Sequence, residues 1–275
     1  MPTATETLRK TARKLLADGT VKVVIGYTRI GDHGTSATFV TTEEDCSRLV
    51  FDETCYQNLT TYLLKPEVKA LGRAAIVSKG CDNRSLNLLF SESKLKREDL
   101  HIIGAECPGM DKTVCTWCSH HKPVNFDDLL PADRTPPGRE PAADPAADMT
   151  PAERWEFWMG EFSRCIRCYA CRSVCPTCYC PQCLADRNQP QGIDATPMAR
   201  GNLAWHLVRA FHHAGRCVEC GECERACPMD IPLLHFMTGM QEVVRERFGC
   251  EPGLNPDTRS PLGTYSENDK EEFFR

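Results

Sequence analysis

Cys165, Cys168, Cys171 and Cys175 follow one another as C-x2-C-x2-C-x3-C and lead into Pro176. Cys217, Cys220, Cys223 and Cys227 repeat that spacing and lead into Pro228. Thiols in this order grip iron-sulfur cubanes. Residues three apart in a turning loop aim successive sulfurs at three iron corners, while the fourth, on the departing helix, reaches the neighbouring cluster. The spacing predicts two [4Fe-4S] clusters, one on Cys165, Cys168, Cys171 and Cys227, the other on Cys217, Cys220, Cys223 and Cys175. Structural zinc, which uses paired C-x2-C knuckles and four ligands per ion, accounts less well for this repeat. Two such clusters side by side form a relay for single electrons, with potentials set by charge, hydrogen bonds to sulfur and solvent exposure.

Other side chains around the repeats are candidates of a second rank. Cys178, Cys180 and Cys183 form C-x-C-x2-C and belong to neither repeat. They suit a further cluster, or a zinc site completed by a cysteine or histidine from elsewhere, or a place among other ligands; the bland alternative is a packed, reduced turn held by Pro176 and Pro181. His206 and His213 lie seven apart on one helix face, where a buried polar or surface role competes with a ligand or proton-transfer role. His120 and His121, beside Cys118, pose the same choice. Arg164, Arg167, Arg172, Arg216 and Arg225 would offset the negative charge of thiolate-ligated clusters, or simply solvate helix ends. Cys46, Cys55 and Cys250 are isolated and read as buried small hydrophobes.

The frame that must position these groups is a chain of 275 residues, 41% hydrophobic and 26% charged, enough to bury a core in one large or two smaller domains. Its formal charge of -5 leaves a nucleic-acid role without an electrostatic footprint. No apolar run approaches the roughly 18 residues a membrane span needs. Residues 1–22 lack the hydrophobic centre of a secretory signal, so a cytoplasmic place is expected, where the 18 cysteines are free or metal-bound rather than paired.

Periodicity predicts a helix over 4–18, strands at 21–27 and 36–42, and a helix over 54–65 that stops before Pro66. A buried strand (73–79), a turn (80–83), a helix (84–95) with Leu86, Leu89 and Phe90 inward, and a second buried strand (100–106) read as a βαβ unit with parallel strands. Residues 131–148 are proline- and alanine-rich without apolar periodicity and read as a linker. Thr150, Pro151 and Glu153 then cap a helix over 150–162, and helices follow at 202–215 and about 232–248. The expected fold class is an α/β N-terminal domain (1–130) with a mainly parallel sheet, a linker (131–149), an all-α ferredoxin domain (150–250) and a C-terminal tail (251–275).

If strands 73–79 and 100–106 are parallel neighbours, Cys81 and Cys107 emerge on the same sheet edge, where ligand sites of open α/β sheets form. Cys115 and Cys118 follow as a C-x2-C pair. Those four sulfurs are expected to converge on a third [4Fe-4S] cluster, against two structural cysteines and a separate pair.

Two resemblances bear on these readings. The stretch GRCVECGECERACPMDIP (215–232), with about forty residues between the repeats, resembles the α-helical ferredoxin fold of heterodisulfide reductase C-type subunits and of fumarate reductase iron-sulfur subunits. GCDNRSLNLLFSESKLKREDLHIIGAECPG (80–109), followed by CTWCSHHKP (115–123), resembles the coenzyme F420 hydrogenase/dehydrogenase beta-subunit family. The second resemblance implies a cluster on Cys81, Cys107, Cys115 and Cys118, and FAD, with F420 in several members. No G-x-G-x-x-G dinucleotide turn accompanies it. The expected function is therefore an iron-sulfur electron-transfer subunit of a cytoplasmic oxidoreductase complex of the hydrogenase, formate dehydrogenase or heterodisulfide-reductase-like kind. Its expected partners are other subunits, with ferredoxin, F420 or NAD(P) as electron partner. One alternative is a flavoprotein exchanging hydride with F420 or NAD(P). The other is a non-redox module of zinc or structural clusters. No residue is singled out as catalytic.

Overall fold

The computed structural model describes residues 2–32, 34–110, 113–136, 144–265 and 267, leaving aside the side chains of 113 and 114. Its N-terminal half is built on strands β1 (Val23–Arg29), β2 (Thr35–Val40), β3 (Leu49–Val50), β4 (Ala74–Ser78), β5 (Leu100–Ala105) and β6 (Asp128–Leu130). The strands lie in the order β2-β1-β4-β5-β6, with β3 also on β1. β1, β4, β5 and β6 run parallel, while β2 and β3 are antiparallel to β1. Every residue of β4 is buried, as befits a parallel strand covered on both faces.

Helix α1 (Ala4–Ala17) starts at a capping box of Thr3 and Glu6 and packs Leu8, Ala12 and Leu15 into this core. Helices α2 (Pro66–Lys69), α3 (Gly80–Ser91) and α4 (Thr113–Thr116) complete the half. The helical half holds α5 (Pro151–Ser163), α6 (Ala170–Ser173), α7 (Ala199–His213), α8 (Glu222–Arg225) and α9 (Leu233–Phe248). The predicted capping box of Thr150 and Glu153 opens α5, and Gly249 ends α9 in the left-handed conformation.

Three sequence expectations fail locally. The helix over 54–65 is instead a 3-10 helix at Leu59–Leu64, begun by the Asn58 side chain bonding the Thr60 amide; Pro66 opens α2 rather than merely ending a helix. The turn at 80–83 is the first turn of α3, where Asp82 closes back on the Lys79 amide, and the helix ends at Ser91 rather than at 95. Leu86 and Leu89 are buried and Phe90 packs half-buried against the core, while Leu88 is buried as well. β3 and β6 went unforeseen, being two and three residues long. Residues 131–136 and 144–149 contain no helix or strand, and the rest of the expected linker, 137–143, lies outside the described residues.

The halves are joined through α3, which is buried nearly all round because the sheet lies on one side and the helical half on the other. Arg84, 3% exposed, donates to the carbonyls of Pro252 (2.9 Å) and Val218 (3.2 Å) and pairs with Glu251 at 2.8 Å. Asn87 donates to Gly253 O, and Gly253, at φ +73°, lies so close to Arg84 O that a Cβ would be 2.1 Å from it. Glu251 also pairs with Arg245 at 2.7 Å.

A hydrogen bond from His120, then the charges of Arg84 and Arg245, hold the Glu251 carboxyl down to about 2 from an ordinary 4.5, against burial. A carboxyl depressed by folding contributes stability in full above its unfolded value and loses it as pH falls toward the folded one. The melting-temperature gap between wild type and Glu251→Gln is therefore expected to be level above about pH 5 and to close on acidification below about pH 4.5. A gap that shrinks between neutral pH and 6 would mean the carboxyl is not held this way.

Candidate metal centres

The two ferredoxin-type loops share their backbone turn for turn. In the first, Arg167 and Tyr169 take left-handed conformations (φ 58° and 59°); in the second, Glu219 and Gly221 do so at the matching positions (φ 57° and 73°). These turns cost roughly 1 kcal/mol at a non-glycine residue and persist because the loop must wrap a common centre. In each loop the backbone N–H two residues on points at the first sulfur: Arg167 N to Cys165 Sγ at 3.5 Å and Glu219 N to Cys217 Sγ at 3.4 Å. The one-turn helices α6 and α8 then carry the chain to Cys175 and Cys227.

Three cavities gather the cysteines. Cys165, Cys168, Cys171 and Cys227 line the first, with Arg167, Trp205 and His206. Cys217, Cys220, Cys223 and Cys175 line the second, with Arg209, His213 and Met237. Cys81, Cys107, Cys115 and Cys118 line the third, with Tyr56, Lys79, His120 and His121. The third takes Cys81 from the first turn of α3, just past β4, and Cys107 from just past β5, on the common edge of two parallel strands. His120 N points at Cys118 Sγ at 3.3 Å, the same N–H to sulfur contact as in the other loops. Gly80 lets this loop close, since a Cβ there would lie 1.8 Å from His120 O.

Cys220 also lines the third cavity, so the second and third sites share a wall. The second and first are adjacent through Arg209, which lines the second cavity and donates to Cys171 O at 3.2 Å. The three sites therefore form a row with the second in the middle.

Each cavity has a buried cation in its wall. Arg167 is 7% exposed at the first, Arg209 3% at the second and Lys79 1% at the third. Arg167 is fixed by Gly201 O, Asp194 O and the Tyr169 hydroxyl. Lys79 pairs with the fully buried Asp82 at 2.7 Å and donates to Gln57 O and the Tyr27 hydroxyl. Burial works against its charge, but the Asp82 carboxylate and neighbouring Tyr27 and Cys81 hold its pKa above the ordinary lysine value. Of the arginines singled out in the sequence, Arg167 sits in a cavity wall. Arg164, Arg172, Arg216 and Arg225 pair with Glu161, Asp186, Glu92 and Glu222. Arg209 and Lys79 were missed; the available signal for Arg209 was a charge in a helix stretch with Trp205 and Ala210.

Burial pushes Cys107 and Cys223 up to about 12 and raises Cys217 and Cys220 as well, whereas a hydrogen bond with Cys178, against burial, holds Cys175 low. Thiols around a hollow bind metal as thiolates, and four of them with cations alongside fit a thiolate-ligated cluster. The histidines divide. His206 is 1% exposed, stacks on Phe162 at 4.3 Å and is held neutral, its pKa lowered to about 3 by burial and by Arg209 and Arg167. His213 turns to sulfur instead. Its Nε2 lies 3.2 Å from Cys178 Sγ and 4.0 Å from Cys175 Sγ. None of Cys178, Cys180 and Cys183 lines the three quartet cavities; all three line an open cavity of about 920 Å³ between the halves, which shares Thr177, Arg209 and His213 with the second cavity. Cys46, Cys55 and Cys250 are buried in hydrophobic clusters.

Residues 161–231 match the family described as 4Fe-4S dicluster domain. The chain is 37% identical over 100 residues to the F420-dependent formate dehydrogenase subunit beta of Methanocaldococcus jannaschii, covering 36% of this chain and 26% of that protein. It is 35% identical over 108 residues to the F420-dependent formate dehydrogenase 1 subunit beta of Methanococcus maripaludis, covering 39% and 27%. The chain thus matches about a quarter of the length of these curated relatives. Among the described residues no helix is long and apolar enough to cross a membrane.

Proposed function

We propose that this chain is the iron-sulfur electron-transfer subunit of a multisubunit oxidoreductase, with three [4Fe-4S] sites in a row: Cys81, Cys107, Cys115 and Cys118; then Cys175, Cys217, Cys220 and Cys223; then Cys165, Cys168, Cys171 and Cys227. The observation that carries it is Cys220, which lines two of the three cavities and makes the row continuous. Each cluster, when bound, takes up and gives back one electron. The chain's part is to hold the sulfurs, exclude water and set the charge. Arg209 and Arg167 each place one buried positive charge beside a site, which favours added negative charge there, while Lys79 at the third site is balanced by Asp82.

The row is open at the dicluster end. Cys168 is exposed and Ile166 beside it is 54% exposed, so a redox partner would meet the row there. The relatives named above make a formate-oxidising complex the favoured setting, with F420, NAD(P) or ferredoxin beyond it. The hydride-exchanging flavoprotein is the weaker reading. β1 leads into the antiparallel β2 rather than a helix, and the N-terminus of α3, where a pyrophosphate would lie, is closed by His120 O against Gly80. Iron, acid-labile sulfide and flavin counts on anaerobically purified chain test the proposal: about twelve iron and twelve sulfide are expected. About eight would remove the third site, and zinc in place of iron would leave the non-redox module.

A further inference from the structure

We infer that His206 donates a ring N–H to a sulfide of the cluster on Cys165, Cys168, Cys171 and Cys227 and so raises the reduction potential of that cluster. The inference rests on the reading of this site as [4Fe-4S]. His206 lines the cavity of those four cysteines and is 1% exposed. Both of its ring nitrogens are buried, and neither has a hydrogen-bond partner among the described residues. A buried imidazole in that state gives up its bonds to water and regains none, so its N–H calls for an acceptor inside the cavity. No cysteine sulfur is within hydrogen-bond reach of the ring, which points to the inorganic sulfide of a bound cluster as that acceptor.

The ring is held from two sides. It stacks on Phe162, with centroids 4.3 Å apart and 13° between the planes. One turn earlier on α7, Asn202 donates to Phe162 O at 2.9 Å and to Cys165 O at 2.8 Å, which ties the helix to the loop that carries the first sulfur. His213, two turns further along α7, has partners for both nitrogens: Nδ1 lies 2.9 Å from the Thr177 hydroxyl and Nε2 3.2 Å from Cys178 Sγ. Burial, then the nearby Arg209 and Arg167, keep His206 neutral, so it brings one donor and no charge. An electron added to the site makes sulfur a better acceptor, and the bond strengthens on reduction. The proton stays on the imidazole throughout, and no covalent bond forms or breaks. This site stands at the open end of the row, so the bond favours electrons resting where a redox partner meets the chain.

The test uses the full chain, purified anaerobically, with the first cluster identified by the EPR signal that Cys168→Ser removes. His206→Phe keeps a ring to stack on Phe162 and removes both nitrogens. Its first cluster is expected to be about tenfold harder to reduce, a fall of about 59 mV for a one-electron couple, while the other midpoints and the iron content stay as in wild type. His206→Gln, which returns an N–H, should recover part of that shift. In wild type carrying nitrogen-15-labelled histidine, pulsed EPR of the reduced first cluster should show a weak nitrogen coupling, a check that needs no folded variant. An unmoved first midpoint in His206→Phe, an equal fall in His206→Gln, or wild type without that coupling would each overturn the inference alone. Wild type without iron on Cys165, Cys168, Cys171 and Cys227 would overturn the reading beneath it.

Discussion

Cys220→Ser is expected to abolish the middle cluster and to perturb a second one. Its sulfur stands on the wall of both the second and the third cavity, so the substitution removes a ligand from one and changes the nearest neighbour of the other. Iron should fall from about twelve to about eight per chain. The EPR signal of the second cluster should vanish, that of the third should shift, and that of the first should stay. Electron passage from one end of the row to the other should fall by orders of magnitude, because the two outer sites have only the second between them. Cys168→Ser is the control: it lies at the exposed end and should affect the first cluster alone. A Cys220→Ser protein that kept about twelve iron and wild-type transfer would refute the row.

Asp82→Ala is expected to be the most destabilising single change away from the cysteines. Asp82 is 0% exposed and Lys79 1%, and their ion pair at 2.7 Å lies beside the third cavity. Removing the carboxylate strands a buried ammonium, which costs about 3–5 kcal/mol, and also opens the first turn of α3 by freeing the Lys79 amide. The double variant Lys79→Met/Asp82→Leu removes both charges and should recover most of that loss, because it no longer buries an unpaired ion. Anaerobic denaturant unfolding of the single and double variants checks both parts. Equal destabilisation by the single and the double would show that packing, not charge, holds this corner.

The readable part of the sites in the sequence was which cysteines line a common cavity. Ligand spacing is local: C-x2-C-x2-C-x3-C implies a loop and a departing turn of helix whatever else the chain does, and the left-handed residues at 167, 169, 219 and 221 are what that loop requires. The pairing of Cys81 with Cys107 was legible for a related reason, because two strands joined by one helix in a βαβ unit end on the same edge. Helices α5, α7 and α9 announced themselves through caps and apolar period. The 3-10 turn at 59–64 did not, since a single turn between Asn58 and Pro66 is too short to establish a period.

The sequence by itself determined which cysteines group with which, and that an α/β half precedes a helical one, because both follow from spacing and periodicity over a few residues. Only the tertiary structure decided how the groups stand to one another. That Cys220 faces two cavities depends on α3 docking on the helical half, and that Arg209 and Lys79 supply buried charge and that His213 rather than His206 meets a cysteine sulfur depend on how elements pack within each half. That docking runs through Arg84 to carbonyls 134 and 168 residues further along the chain. Contacts at such separations are set by how whole elements fill space together, and no local pattern encodes them.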